Sequence, residues 1–190
     1  MKRIIVGITG ASAVVYGIRL LQVLKENPEV ETHLVVSRAA GVTVALECPD
    51  WTVETVKGLA DVVHRENDIA ASIASGSFPV EAMVVIPASM KSVAQMAHGV
   101  GESLLHRAAD VTLKERRRLI VVPRETPLHL GHLRNLTQLA ELGAIIVPPL
   151  VAFYHKPQTI EEIVDHTVGK VLDLLTLPHR LFQPWEGPDP

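Results

Sequence analysis

Cysteine is almost absent from this chain, with Cys48 standing alone among 190 residues. A lone thiol excludes an internal disulfide and a cysteine-rich zinc site, and it fits a reducing, cytoplasmic setting. Surplus positive charge is also missing. The formal net charge of −3 leaves no excess cations to neutralise phosphates, which argues against non-specific nucleic-acid binding. No run reaches the about 18 consecutive apolar residues of a membrane span. Lys2-Arg3 before an apolar stretch has the outline of a signal peptide. Gly7 and Gly10 interrupt it without a cleavable junction, so a buried first strand and a glycine turn are expected instead. The nine histidines include His129 and His132, three apart, but no H-E-x-x-H or Cys/His cluster accompanies them, and no metal is expected. Aromatic residues make up only 4% of the chain.

What the chain does have is apolar runs of strand length, at Ile4–Val6, Thr32–Val36, Ala82–Ile86, Leu119–Val122 and Ala144–Val147. They are continuous rather than alternating, which means burial on both faces. Helical spacing recurs between them, at Val14–Lys25, Ala39–Glu47, Glu102–Lys114, Leu130–Leu142 and Ile160–Leu175. Strands alternating with helices predict a doubly wound, Rossmann-like parallel sheet in a single α/β domain over 1–177. The stretch 50–77 stands outside this rhythm, with a helix expected at Val53–Val62. The tail 178–190 carries four prolines, at 178, 184, 188 and 190. It is expected to fray or to lie across a neighbour.

Ligands of open α/β sheets bind beyond the carboxyl ends of the strands, so the residues there carry the chemistry. Gly7-Ile-Thr-Gly10-Ala-Ser12-Ala13 joins the first strand to the first helix. Its glycines let backbone approach a ligand, and the helix start offers free N–H groups to an anion. It is not a G-x-G-x-x-G fingerprint, and Val36-Ser37 stands where a dinucleotide fold needs an acid for the ribose. A mononucleotide such as FMN is favoured over NAD. Ser12 also reads as a simple helix N-cap. A second strand end opens into Ser89-Met-Lys-Ser92. In the run Arg107–Pro127, a strand ends on Arg124-Glu125, an anion-binding cation beside an acid or base, or a plain ion pair. Arg116, Arg117 and Arg118 read as a solvated helix end. Glu47 and Lys170 read as solvated helix residues, and Tyr154 as a loop phenol able to donate to phosphate.

Five segments in order, Gly7–Ser12, Ser75–Phe78, Ser89–Lys91, Arg107–Pro127 and Phe153–His155, resemble the UbiX-type flavin prenyltransferases. The resemblance spans about Arg3 to Trp185 and comes closest to the branch found as the small partner of bacterial phenolic-acid (hydroxyarylic acid) decarboxylases. It implies prenylation of reduced FMN by dimethylallyl phosphate at N5 and C6, giving prenylated FMN for a partner decarboxylase. Cofactor contacts would come from Gly10, Ala11, Ser12, Ser37, Ser89, Met90, Lys91, Ser92, Arg107 and Arg124. The second substrate would meet Lys114, Arg124, Tyr154, Lys170 and Trp185, and Ser12, Glu47, Lys114 and Glu125 would be catalytic. Relatives assemble as trimers stacked into dodecamers, with sites where neighbouring copies meet. The chain departs from the pattern at Ala13, where glycine is usual, at Lys170, where arginine is common, and at Ile69, where many relatives carry an aromatic residue. An FMN or prenyl-FMN delivery protein with little activity of its own is the alternative. An FMN-dependent oxidative decarboxylase of cysteinyl peptides ranks last, since Cys48 has no evident histidine partner.

Overall fold

The protein, seen in a computed structural model, is described for residues 1–185 and 187; Pro188 and Pro190 of the tail lie outside the described residues. In chain order the elements are β1 (Lys2–Ile8), α1 (Val15–Lys25), β2 (Val30–Val36), α2 (Arg38–Glu47), α3 (Val53–Lys57) and β3 (Val62–His64). There follow β4 (Ala82–Ala88), α4 (Met90–Ala97), α5 (Leu104–Lys114), β5 (Arg118–Pro123), α6 (Leu130–Glu141), β6 (Ile145–Ile146) and α7 (Ile160–Leu174). The six strands form one parallel sheet in the order β3-β2-β1-β4-β5-β6. This is the doubly wound Rossmann order, whose direction reverses between β1 and β4.

Alternation along each strand divides the core. Ile4, Val6 and Ile8 join Val84, Ile86, Ile120 and Val122 beneath α1, α2 and α7. Ile5, Met83, Val85, Leu119 and Val121 face α4, α5 and α6. All seven residues of β4 are buried, as the continuous apolar run requires.

Three local expectations fail for identifiable reasons. The helix expected over Val53–Val62 stops at Lys57, with Gly58 as its C-cap. Val62–His64 then pairs with β2 as an edge strand, held by the Asp61 carboxylate, which accepts from Thr32 N at 2.7 Å and Thr32 Oγ1 at 2.8 Å. Arg117 and Arg118 are not a solvated helix end. Arg117 donates to Gly76 O at 2.7 Å and Phe78 O at 2.9 Å, and Arg118 opens β5 and donates to the carbonyl of Leu174 at the end of α7. Only Arg116 is exposed as expected.

The start of the tail folds back onto its own α7. His179 Nε2 lies 3.0 Å from Asp173, and the Phe182 ring rests against Gly169 so closely that a Cβ there would sit 2.4 Å from its Cε1. A helix-interior glycine costs about 1 kcal/mol relative to alanine, so close packing of Phe182 is the reason for it. Gly169→Ala is therefore expected to lower stability by about 1–2 kcal/mol, overpacking outweighing the propensity gain. Urea denaturation reads this directly, and a stabilised variant would show that Phe182 does not hold that position.

Candidate functional site

The sheet brings the β1 and β4 loops side by side at its carboxyl edge, and buried Thr9 joins them. Thr9 donates from N and Oγ1 to Pro87 O at 3.2 and 2.8 Å, and its Oγ1 accepts from Ser89 N at 2.7 Å. Ser37 N donates to Ile8 O at 2.9 Å, so the β2 loop is tied to the same edge. Two serines expected at the cofactor are also helix caps. Ser37 Oγ accepts from Ala40 N at 3.1 Å at the start of α2, and Ser89 Oγ accepts from Ser92 N at 3.2 Å at the start of α4. Gly10 lies flat on α2, where a Cβ would fall 2.4 Å from Ala39 Cβ.

These loops enclose a cavity of about 560 Å³ lined by Gly10, Ser37, Ser89, Lys91 and Ser92 among others. The volume suits one mononucleotide. The starts of α2 and α4 give it anion-binding character, which Lys91 strengthens. The residues present therefore fit FMN. Sequence reasoning missed Thr9, Arg38, Glu66 and His106 in this lining. Glu66 brings an acid into the lining from the segment after β3, and its Oε2 accepts from Arg38 N at 2.7 Å. No local motif announces it. Burial pushes the pKa of His106 below the usual histidine value, and its Nδ1 lies 2.7 Å from Ser103 Oγ.

Ser12 is not a helix cap: the N-cap of α1 is Val14, without side-chain help. Glu47 is exposed at the end of α2, as a solvated helix residue is, and its carboxylate also reaches the turn that leads into α1. Its Oε2 accepts from Ala13 N at 2.7 Å and Val14 N at 3.4 Å. Ala13 has φ 76°, the left-handed region in which glycine alone is unstrained. Ala11 is buried beside it, and Met90 is buried in α4.

The remaining expected residues fall in separate places. Arg124 and Glu125 are exposed at the end of β5, where Arg124 N donates to Ala88 O at 3.1 Å and so stands next to the β4 loop. They form no ion pair with each other; Glu125 Oε1 accepts from Thr126 N at 3.0 Å. Tyr154 and Trp185 line a second cavity of about 410 Å³, their ring centroids 5.8 Å apart. Lys170 on α7 pairs with Asp173 at 3.1 Å. Arg107 and Lys114 are on α5, paired with Asp110 at 2.7 Å and with Glu115 respectively. Because α5 runs back to the start of β5, Lys114 ends at the amino edge of the sheet, away from the cavity holding Ser37 and Ser89. Ile69 is exposed.

His129, His132 and Cys48 each have a definite setting. His129 caps α6, its Nδ1 accepting from His132 N at 3.2 Å while the two rings stack at 3.5 Å. Among the described residues no group of three or more His, Cys, Asp or Glu side chains could hold a metal. Burial, aided by Glu47 and Asp50, pushes the Cys48 thiol up, which disfavours the reactive thiolate a cysteine-based mechanism needs.

The Flavoprotein family model matches residues 1–172. The chain is 54% identical to flavin prenyltransferase UbiX of Escherichia coli (strain K12) over 189 residues, covering 98% of this chain and 100% of that one. The chain belongs to the UbiX-type flavin prenyltransferase family. Among solved structures, AnUbiX (PadA1) in complex with FMN and dimethylallyl pyrophosphate superposes with a TM-score of 0.96 at 46% identity, over 99% of both chains. A dodecameric FMN-dependent UbiX-like decarboxylase from Escherichia coli O157:H7 gives 0.95 at 48% identity, over 97% of this chain and 100% of that one.

Two outcomes follow from these contacts. Glu47→Ala removes the acceptor at the start of α1 and is expected to cost about 1 kcal/mol, measured by urea unfolding; no change would mean the contact is not formed. Burial also holds the pKa values of His64, His106 and His166 below the usual histidine value. The unfolded chain therefore takes up protons first on acidification. This stability is complete above about pH 6.5 and is lost as the pH falls through the lowered folded values. The urea midpoint should fall as the pH drops below about 6.5, and a rise there would contradict the burial of these rings.

Proposed function

We propose that this chain transfers the dimethylallyl group of dimethylallyl phosphate to N5 and C6 of reduced FMN, making prenylated FMN for a partner decarboxylase. The observation that carries the reading is the cavity at the β1/β4 reversal, where Gly10, Ser37, Ser89, Lys91 and Ser92 converge in a chain of this family. Ala11, Ser12, Met90 and Arg124 complete the cofactor contacts, with Arg107 contributed from another copy. Bound and reduced, FMN supplies the nucleophilic ring atoms.

The chain's own task is to break an allylic carbon–oxygen bond away from water. The departing phosphate keeps the electron pair, and fixed cations stabilise that growing charge in a dry site. Arg124, Lys114 and Lys170 are those cations, with Tyr154 donating its hydroxyl. Glu125 manages a proton at the phosphate or the flavin, and Glu47 with Ser12 assists removal of the ring proton at closure. Trp185 offers a π face to the allylic cation.

Arg124, Lys114 and Lys170 lie apart in a single chain, so the complete site is assembled from neighbouring copies, in trimers stacked as a dodecamer. Exposed Leu46, Leu150, Phe153 and Ile160 support such contacts, since apolar surface of this kind is ordinarily covered. No described helix is long and apolar enough to cross a membrane, and a cytoplasmic setting is proposed.

Anaerobic incubation with reduced FMN and dimethylallyl phosphate, followed by mass spectrometry of the released flavin, tests the reading. A flavin heavier by one prenyl unit is expected. Arg124→Ala should slow its formation by about 100-fold, the scale of losing one charge-stabilising group. Unchanged, tightly held FMN would overturn transferase activity in favour of the delivery protein.

A further inference from the structure

Tyr154 has a single phenolic proton, and its placement depends on a residue not yet given a role. The hydroxyl lies 3.1 Å from Nε2 of His166, a side chain on α7 that is only 8% exposed. The imidazole is held by its neighbours. The His155 ring stacks on it at 4.4 Å with an interplanar angle of 7°, and Phe182 lies 4.9 Å away. The close approach of Phe182 at Gly169 fixes that side of the cluster. A buried ring packed on its faces cannot swing away when a ligand arrives.

Which partner donates decides what Tyr154 can do. With a bare Nε2, the phenol gives its proton to the imidazole and has only lone pairs left for a ligand. With Nε2–H, the imidazole donates to the phenolic oxygen, and the phenol's own proton is free for an acceptor. A fully ionised phosphate, which can only accept, is compatible with the second arrangement alone. Burial first, then His155 and Lys170, the latter one helical turn beyond on the same face of α7, disfavour a cationic imidazole, against the opposing charge of Asp173. A neutral Nε2–H ring is thus consistent with both neighbours.

We propose that His166 is a positioning residue for the second substrate, donating Nε2–H to the phenolic oxygen so that Tyr154 presents its proton to the allylic phosphate. The inference rests on the place of Tyr154 in the proposed function. It adds a residue that touches neither substrate and acts only through the phenol.

Calorimetric titration of the FMN-loaded chain with dimethylallyl phosphate, the flavin kept oxidised so that nothing turns over, tests it. His166→Phe keeps the ring stack and removes the donor, and should weaken phosphate binding about 10-fold, the scale of one hydrogen bond to a charged acceptor. His166→Gln retains an amide donor and should stay within about 3-fold of the parent. In a Tyr154→Phe background, His166→Phe should add less than about 2-fold, since the two residues act as a unit. FMN affinity, read by flavin fluorescence, should be the same throughout and reports that each variant is folded; His166→Leu serves if the phenylalanine variant loses FMN. Equal losses for phenylalanine and glutamine, or an undiminished loss in the Tyr154→Phe background, overturn this inference alone. Failure of the parent chain to bind dimethylallyl phosphate while holding FMN overturns the substrate reading and this inference with it.

Discussion

One buried hydroxyl sets the geometry of the cofactor edge. Thr9 lies at the end of β1, 2% exposed, and its three hydrogen bonds reach Pro87 and Ser89 at the end of β4. A parallel sheet alone fixes the spacing of neighbouring strands, but it leaves their connecting loops free to diverge once the ladder ends. Here the ladder continues as side-chain and backbone bonds across the very point at which strand order reverses. Ser37 N on Ile8 O extends the tie to β2. Three loops therefore leave the sheet as one rigid rim, and the caps of α2 and α4 face a common space.

Rigidity at that rim carries a local cost. Ala13 adopts a left-handed conformation that disfavours an L side chain by about 1–2 kcal/mol. The compensating contact comes from Glu47, whose carboxylate accepts from Ala13 N and Val14 N. The two contributions are of similar size, so the turn is close to balanced. The same carboxylate is thereby held at the residue that follows Ser12. A residue proposed to handle a proton is also the one that keeps the turn in place, which ties its position to the fold rather than to a flexible side chain.

The layered fold was legible because burial on both faces leaves a plain mark in sequence. The unbroken apolar runs of β1, β4 and β5 appear where expected. What was not legible depends on distant partners. The strand Val62–His64 looked like a continuation of the preceding helix because valines recur at 53, 56 and 62; only Gly58 and the Thr32–Asp61 contact separate them. α4 has no polar boundary from β4 except Ser89. Ser12 resembled a cap because capping is usually local, whereas the true acceptor lies 34 residues away. His129 was opaque because an imidazole seldom caps a helix. His166 carried no signal at all, being one apolar-face histidine among nine until the fold placed it against Tyr154.

The cations assigned to the phosphate differ in how they are held. Lys114 and Lys170 each sit in an exposed ion pair with a neighbour on their own helix or helix end. Such pairs contribute about 0–1 kcal/mol, so an arriving phosphate can draw these side chains away at little cost. Arg124 has no such partner among the described residues, and its backbone is fixed to β4 through Ala88. It is the cation already free and already beside the cofactor rim. Under the proposed assignment Lys114 and Lys170 stand on separate helices, so within one copy their like charges do not repel each other closely, and a phosphate held between neighbouring copies would be what brings them together.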